Sequence, residues 1–158
     1  MTPISIKYYL NDILMIANTD LLENLEVTAE MFSTLQARLH TASHRGHHID
    51  FLIGKINNEI ALEIEKALRP INERFDQKYT FATDEVIFNV SVDDSDNRLK
   101  SALTDLIVYG VLSHWFISKN FTPLVEKYTT LFHTGLAKLS ALAHRIWHEN
   151  QVARFYSR

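Results

Sequence analysis

The 158-residue sequence contains no cysteine. Without a thiol the chain cannot form a disulfide, use thiol catalysis, or offer sulfur ligands to zinc or an iron–sulfur cluster. Metal sites built from histidine or carboxylate side chains remain open. Cysteine-dependent enzymes and disulfide-stabilised scaffolds are therefore excluded, and the composition is compatible with a reducing compartment.

Glycine is also scarce, with four residues in the whole chain. They stand apart, so no glycine-rich loop can cradle a phosphate, and no serine has the Gly-x-Ser-x-Gly context of a hydrolase nucleophile. Gly54, Gly110 and Gly135 fall inside helical patterns, where glycine costs about 1 kcal/mol relative to alanine and often indicates close approach of another backbone. We expect Gly110 and Gly135 to face each other between the last two helices.

The sequence also lacks a strong excess of acidic or basic residues and any long apolar run. The 16 basic and 19 acidic residues give a net charge of −3, and no stripe of Lys and Arg predicts binding to nucleic acid. The stretch from Leu106 to Ser118 has no formal charge but is shorter than the ~20 apolar residues that span a bilayer. The start, Met1 to Ile4, lacks the features of a signal peptide. We expect neither a membrane span nor export by that route.

The sequence does have a long helical pattern in its first quarter. From Ser5 to about Ala42, apolar or small residues recur in alternating steps of three and four, which is typical of a helix face. Asn18, Thr19 and Asp20 can cap a second helix, so one long helix and two shorter ones both remain open. Gly46, within a polar run from His40 to His48, predicts a turn after this region.

A further helix is predicted to begin near Asp50 and to end at Pro70, which disrupts the backbone ladder. Between Tyr79 and Val92 the pattern changes to the alternation of a β-strand, with a weaker partner at 79–83 that can form a hairpin through Asp84. An isolated hairpin is marginal in water. We therefore expect an edge available to a neighbouring molecule, and its interface residues are Val86, Phe88 and Val90.

The last third of the chain predicts two antiparallel helices. The acidic run Asp93 to Asp96 lacks the spacing of a calcium loop and instead suits the start of a helix that runs to about Lys119. Thr122 and Pro123 suit the start of the final helix. The aromatic residues expected in the core of this helix pair are Trp115, Phe116, Phe121, Tyr128 and Phe132.

Together these patterns predict one mainly α domain over residues 1–158, a bundle of four to five helices. A short strand or hairpin lies between its second and third main helices. After Trp147 the helical pattern weakens, and Arg154, Phe155 and Tyr156 combine aromatic and guanidinium groups that suit an interface anchor. A frayed or locally docked tail is the alternative. We expect an extended interaction tail over residues 150–158.

Eight histidines raise the question of a metal site. The pairs His40 with His44, His44 with His48, and His144 with His148 are each four residues apart, a spacing that can hold zinc on a helix. A hydrolytic zinc helix also needs a glutamate beside the first histidine, and none stands there. We therefore predict no catalytic residue, no metal and no cofactor. A metal enzyme using His40, His44 and His144 or His148 is the alternative function.

The segment from Leu106 to Phe116 resembles the head–tail connector, or adaptor, proteins of tailed bacteriophages. The resemblance continues through Tyr128, Leu131, Leu136, Leu139 and Arg145. It covers about residues 50–147 and is one of layout: similar size, a helical bundle interrupted by a β excursion, and an aromatic helix end before a short turn and a final helix. The long pattern from Ser5 to Ala42 departs from it, since many adaptors begin with a shorter helix.

The resemblance implies a structural protein of the virion neck, made in the host cytoplasm. Its partners would be copies of itself, in a ring of about twelve, together with the portal protein and tail or neck proteins. Sequence-specific nucleic acid and membrane would not be partners, and the acidic net charge suits a channel that must not hold DNA. A helical interaction module of a bacterium, binding one protein target without a ring, is a further alternative.

Overall fold

A computed structural model describes residues 2–7, 47–72, 79–81, 85–118 and 122–156. Its elements in chain order are β1 (Thr2–Lys7), α1 (His47–Leu68), β2 (Tyr79–Phe81), β3 (Glu85–Val90), α2 (Arg98–Ser118) and α3 (Thr122–Tyr156). Most of these residues are helical, which confirms the mainly α prediction. Three helices lie within the described ranges, whereas four to five were expected for the chain.

The first predicted helix is partly corrected. Ser5 to Lys7 belong to strand β1 and not to a helix, while the rest of the pattern, with the turn at Gly46, lies outside the described residues. The physical reason is visible in β1 itself, where Ile4 and Ile6 are buried and Ser5 between them is half-buried. This two-residue alternation is the period of a strand.

The three strands form one antiparallel sheet with β3 at its centre. Strand β2 pairs with β3 from Tyr79 opposite Phe88 to Phe81 opposite Val86, which confirms the predicted hairpin. Strand β1 pairs along the other side of β3, from Thr2 opposite Val90 to Lys7 opposite Glu85. The expected open edge of β3 is therefore occupied by the chain's own first strand.

This pairing also corrects the predicted interface on β3. Val86, Phe88 and Val90 are at most 1% exposed and belong to the hydrophobic core. Because one face of the sheet packs on the helices, the alternation that indicated the strand also turns these three side chains inward. They are core residues of the folded chain and offer no surface to a neighbour.

Helix α1 ends at Leu68, just before Pro70, as predicted, and begins three residues earlier than Asp50. The acidic run before α2 acts as expected, through Asp94. Its carboxylate accepts hydrogen bonds from the amides of Leu99 and Lys100, both at 3.0 Å. These bonds satisfy amide groups that the first turn of a helix leaves without a partner.

Helices α2 and α3 are antiparallel and pack along most of their length. The hydroxyl oxygens of Ser113 and Thr129 are hydrogen-bonded at 2.8 Å. The ring of Tyr128 stacks on that of Phe116, with the ring centroids 5.7 Å apart. Phe116, Tyr128 and Phe132 are buried, which confirms those members of the predicted aromatic core. The side chain of Trp115 and the residue Phe121 lie outside the described part.

The two glycines of this pair do not face each other, so that prediction is wrong. A Cβ at Gly110 would meet the side chain of Ile60 on α1, whereas one at Gly135 would meet Leu106 on α2. Each glycine does permit the close approach of a neighbouring helix, but the nearest atoms belong to side chains and not to the backbone that the sequence position indicated. Gly110 serves the α1–α2 contact, and Gly135 serves the α2–α3 contact.

Candidate interaction surface at the end of helix α3

Helix α3 does not stop where its apolar pattern weakens. It continues unbroken for 35 residues to Tyr156, a length of about 50 Å, so the predicted tail is helical through Tyr156. Residues 147–156 contain no glycine or proline, and Gln151, Ala153 and Arg154 are good helix formers. The pattern weakens because Ile146 is the last buried residue of the helix.

The last turns of α3 carry exposed aromatic and apolar side chains. Phe155 and Tyr156 are 75% and 81% exposed, and Trp147 and Val152 are 41% and 42% exposed. Val152 and Tyr156 lie four residues apart, a spacing that brings side chains together on a helix, and at about 100° per residue Phe155 lies between them and Trp147 around the helix axis. We call these four residues the α3 end. Among the described residues, its two final aromatics are the most exposed large hydrophobic side chains.

The predicted interface residues at the chain end are thus placed together at the surface. The rings of Phe155 and Tyr156 meet edge to face with centroids 5.5 Å apart, and Arg154 is exposed beside them. Exposed apolar patches of this kind mark interaction surfaces in soluble proteins. The arrangement can bind another protein.

Two side-chain contacts fix the base of the α3 end to the start of α2. The Arg98 guanidinium donates to both carboxylate oxygens of Glu149, at 2.5 and 3.3 Å. The side chain of Asn150 accepts from the amide of Asp93 at 2.7 Å and donates to its carbonyl at 3.3 Å. The hydrogen bond from Arg98 holds the pKa of Glu149 below its ordinary value. The last six residues of α3 therefore extend from a fixed base.

A groove lies between α2 and α3 on the surface, nearer the middle of α3. Its volume is about 470 Å³, within the range of about 300–1,000 Å³ that ligand pockets occupy. Its apolar lining is Leu106, Tyr109, Leu131, Gly135, Leu139 and Leu142. Three charged side chains, Asp105, Lys138 and Arg145, also line it, and desolvation raises the pKa of the Asp105 carboxyl.

The sequence did not predict this groove. Small residues line it, namely Ala102 on α2 with Gly135 and Ala141 on α3, but a Cβ at Gly135 would press on Leu106, so this glycine gives a close contact and not free space. We interpreted Gly135 as a helix contact, which is correct for Leu106. The spacing of the two helices, which decides whether small residues give a contact or a groove, cannot be predicted from either helix alone.

The histidine pairs are only partly described. His144 and His148 are exposed on α3, whereas His40, His44 and the side chain of His48 lie outside the described part. Across the described residues, no group of three or more histidine, aspartate or glutamate side chains could hold a metal ion.

The described helices include none that combines the length and hydropathy needed to cross a membrane. Comparison with known proteins found no matching family model, no matching curated protein and no matching solved structure. The function is therefore inferred from the chain's own residues.

Proposed function

We propose that this chain is a structural protein that acts by assembling with copies of itself and with other virion proteins, as a head–tail connector. It would form a ring between the portal and the tail of a bacteriophage. The observation that carries the proposal is the α3 end, where a rigid helix displays four apolar side chains to solvent. Such side chains are costly to leave exposed and are a usual source of binding energy at protein interfaces.

The contacts that hold the α3 end to the rest of the chain favour an ordered binding surface and not a frayed tail. The Arg98 guanidinium donates to Glu149, and Asn150 accepts from the amide of Asp93, so two consecutive residues of α3 are held by the first residue of α2 and the segment before it. A pre-ordered helix loses less conformational entropy on binding than a tail that must first fold. This favours a surface built to bind, since the ordering has already occurred in the free chain.

The layout resemblance gives the proposal its more specific form. It covers about residues 50–147 and implies a ring of about twelve copies that contacts portal and tail or neck proteins. The described structure has the expected order for this part: a helix, a β excursion, and two helices joined by a short connection. The virion neck is the location that follows from the proposal.

Electron microscopy of the purified full-length protein, alone and with portal protein, tests this proposal. We expect rings, or a monomer that assembles when portal protein is added. A matched pair of variants should separate the α3 end from general surface effects. Phe155→Ser with Tyr156→Ser should reduce assembly, whereas Ile117→Ser, at a residue 51% exposed on α2, should leave it unchanged.

Metal analysis of the same sample distinguishes the alternatives. A small species loaded with zinc or iron would contradict the connector proposal and favour the histidine-ligated enzyme. A metal-free monomer that never assembles, with or without portal protein, would also contradict it. That result would leave a helical module that binds a single protein target.

A further inference from the structure

We propose that the α3 end of one copy binds in the α2–α3 groove of a second copy. The inference rests on the proposed self-assembly and names the surfaces that would make it. The α3 end supplies Phe155 and Tyr156, the most exposed large apolar side chains of the described part. The groove supplies a recess with an apolar lining that is large enough for aromatic rings.

The groove and the α3 end cannot meet within one molecule. Both lie on α3, which is one continuous helix to Tyr156. At 1.5 Å per residue, Phe155 lies about 20 Å along the axis beyond Leu142, the apolar groove residue closest to it in sequence. An aromatic ring cannot reach back over that distance. A second copy is therefore the occupant that carries the matching surface.

One charged side chain of the groove, Asp105, is opposite in charge to Arg154 beside the α3 end, whereas Lys138 and Arg145 share the charge of Arg154 and can contact only the aromatic rings favourably. Lys138 and Arg145 line the groove, and a cation over the face of an aromatic ring is a favourable contact. On the other helix, Asp105 offers a carboxylate to a guanidinium such as that of Arg154. Desolvation raises the pKa of Asp105, so a cation brought beside it would compensate a charge that is already partly removed from water.

The two surfaces differ, so the contact is head-to-tail. Each copy uses its α3 end for one neighbour and its groove for another. Such a heterologous contact repeats until it closes into a ring or continues as a filament. A ring is the closed assembly that the proposed function requires.

A matched pair of alanines on α3 tests the groove. Ala141 and Ala137 are both exposed, but only Ala141 lines the groove. Ala141→Trp would fill the recess, and Ala137→Trp adds the same side chain one turn away. By sedimentation velocity, Ala141→Trp should weaken self-association at least about tenfold, as expected for blocking an aromatic hot spot. Ala137→Trp should associate as the unchanged protein does.

A mixing experiment then tests the head-to-tail arrangement. A groove-blocked copy, Ala141→Trp, retains its α3 end, and a copy with Phe155→Glu and Tyr156→Glu retains its groove. Each variant alone should stay monomeric, and an equal mixture should form a one-to-one pair and nothing larger. If the mixture stays monomeric, or if Ala141→Trp assembles normally, the inference is wrong.

Failure of the groove contact can be distinguished from failure of the proposed connector function. Rings that form equally well from both tryptophan variants would leave the connector proposal standing and overturn only the groove contact. An unchanged protein that stays monomeric, alone and with portal protein, would overturn both.

Discussion

Asn72 connects the end of helix α1 to the central strand. It is 2% exposed, and its amide side chain makes two hydrogen bonds to the backbone past the point where the pairing of β3 with β2 ends. Its Nδ2 donates to the carbonyl of Asn89 at 2.9 Å, and its Oδ1 accepts from the amide of Ser91 at 2.8 Å. The side chain thus satisfies both a donor and an acceptor of the backbone, as a neighbouring strand would.

Replacing Asn72 should therefore be costly. Asn72→Ala would remove the partner of two backbone groups in a poorly hydrated region, each worth about 1–3 kcal/mol when left unpaired. We expect the free energy of unfolding in urea to fall by about 2–4 kcal/mol. Arg69→Ala, at an exposed residue of the same turn, is the control and should have little effect. Equal losses in both variants would show that the two bonds contribute nothing.

The titration of Glu149 gives a prediction in pH. Its folded pKa lies below the ordinary 4.5 because of the bond from Arg98. A depressed carboxyl pKa stabilises the fold above the unfolded value, and this contribution is lost as pH falls through the lower folded pKa. Glu149→Gln should thus be less stable than the unchanged protein at neutral pH. We expect the difference in melting temperature to shrink below pH 4.5.

Asp105 should behave in the opposite sense, and it provides the matched control. Desolvation raises its folded pKa above the ordinary 3.8, so its charge costs stability above the folded pKa and the cost disappears as pH falls towards 3.8. Asp105→Asn should stabilise the monomer at neutral pH, within about 0.5 kcal/mol because the residue is exposed. If both variants change stability in the same direction with pH, the assigned causes are wrong.

At the scale of the elements, the helix contacts at Gly110 and Gly135 differ in how easily the facing side chain can move to accommodate an added methyl group. A Cβ at Gly110 would come within 3.0 Å of three side-chain atoms of Ile60, a buried and β-branched residue with little freedom at χ1. A Cβ at Gly135 would press mainly on one terminal methyl group of Leu106. The single approach at Gly135, 2.5 Å, is the shorter, but the side chain at the α1–α2 contact has less freedom to move away from an added methyl group.

Alanine at each glycine should measure this difference. Gly110→Ala should destabilise the protein by about 1–3 kcal/mol from overpacking, reduced by the roughly 1 kcal/mol that alanine gains in a helix. Gly135→Ala should cost less, because a leucine methyl can move aside. Urea unfolding of both variants, with Gly110→Ala repeated in an Ile60→Val background, should show partial rescue. Equal costs without rescue would contradict this account.

The elements also show which features could be predicted from sequence. Strand β3 and the starts of α2 and α3 follow from local signals: alternation around Phe88, the acidic run with Asp94, and Thr122 before Pro123. Strand β1 was missed because Ile4 and Ile6 give only two alternating positions directly before a long helical pattern. The partner of a strand is a property of the fold, so the sequence could indicate an unpaired edge that β1 in fact occupies.

The candidate surface was predicted in part. Arg154, Phe155 and Tyr156 were selected from composition, and the structure places Phe155 and Tyr156 at the surface, with Arg154 exposed beside them. Their helical conformation was missed because the apolar period ends where the core ends. The bond between Asn150 and Asp93 joins residues 57 positions apart. No local pattern reports a contact of that separation.

At the scale of the whole molecule, the described chain consists of a packed core, which we call the base, and the α3 end with its exposed aromatic side chains. The sheet and α1 pack with the α2–α3 pair in one hydrophobic cluster, and the α3 end extends beyond its last buried residue, Ile146. This division of the molecule is what a subunit of an assembly requires. In the proposed assembly, a stable base would keep the α3 end in one orientation in every copy.

The native mass of the full-length protein in solution tests this account most directly. It should be measured by native mass spectrometry over a wide range of concentration, alone and with portal protein. We predict one dominant assembly that contains a fixed number of 18.3 kDa copies, about twelve as in a closed ring, formed either by the protein alone or in its complex with portal protein. A mass of 18.3 kDa under every condition would contradict the claim that the chain acts by assembling.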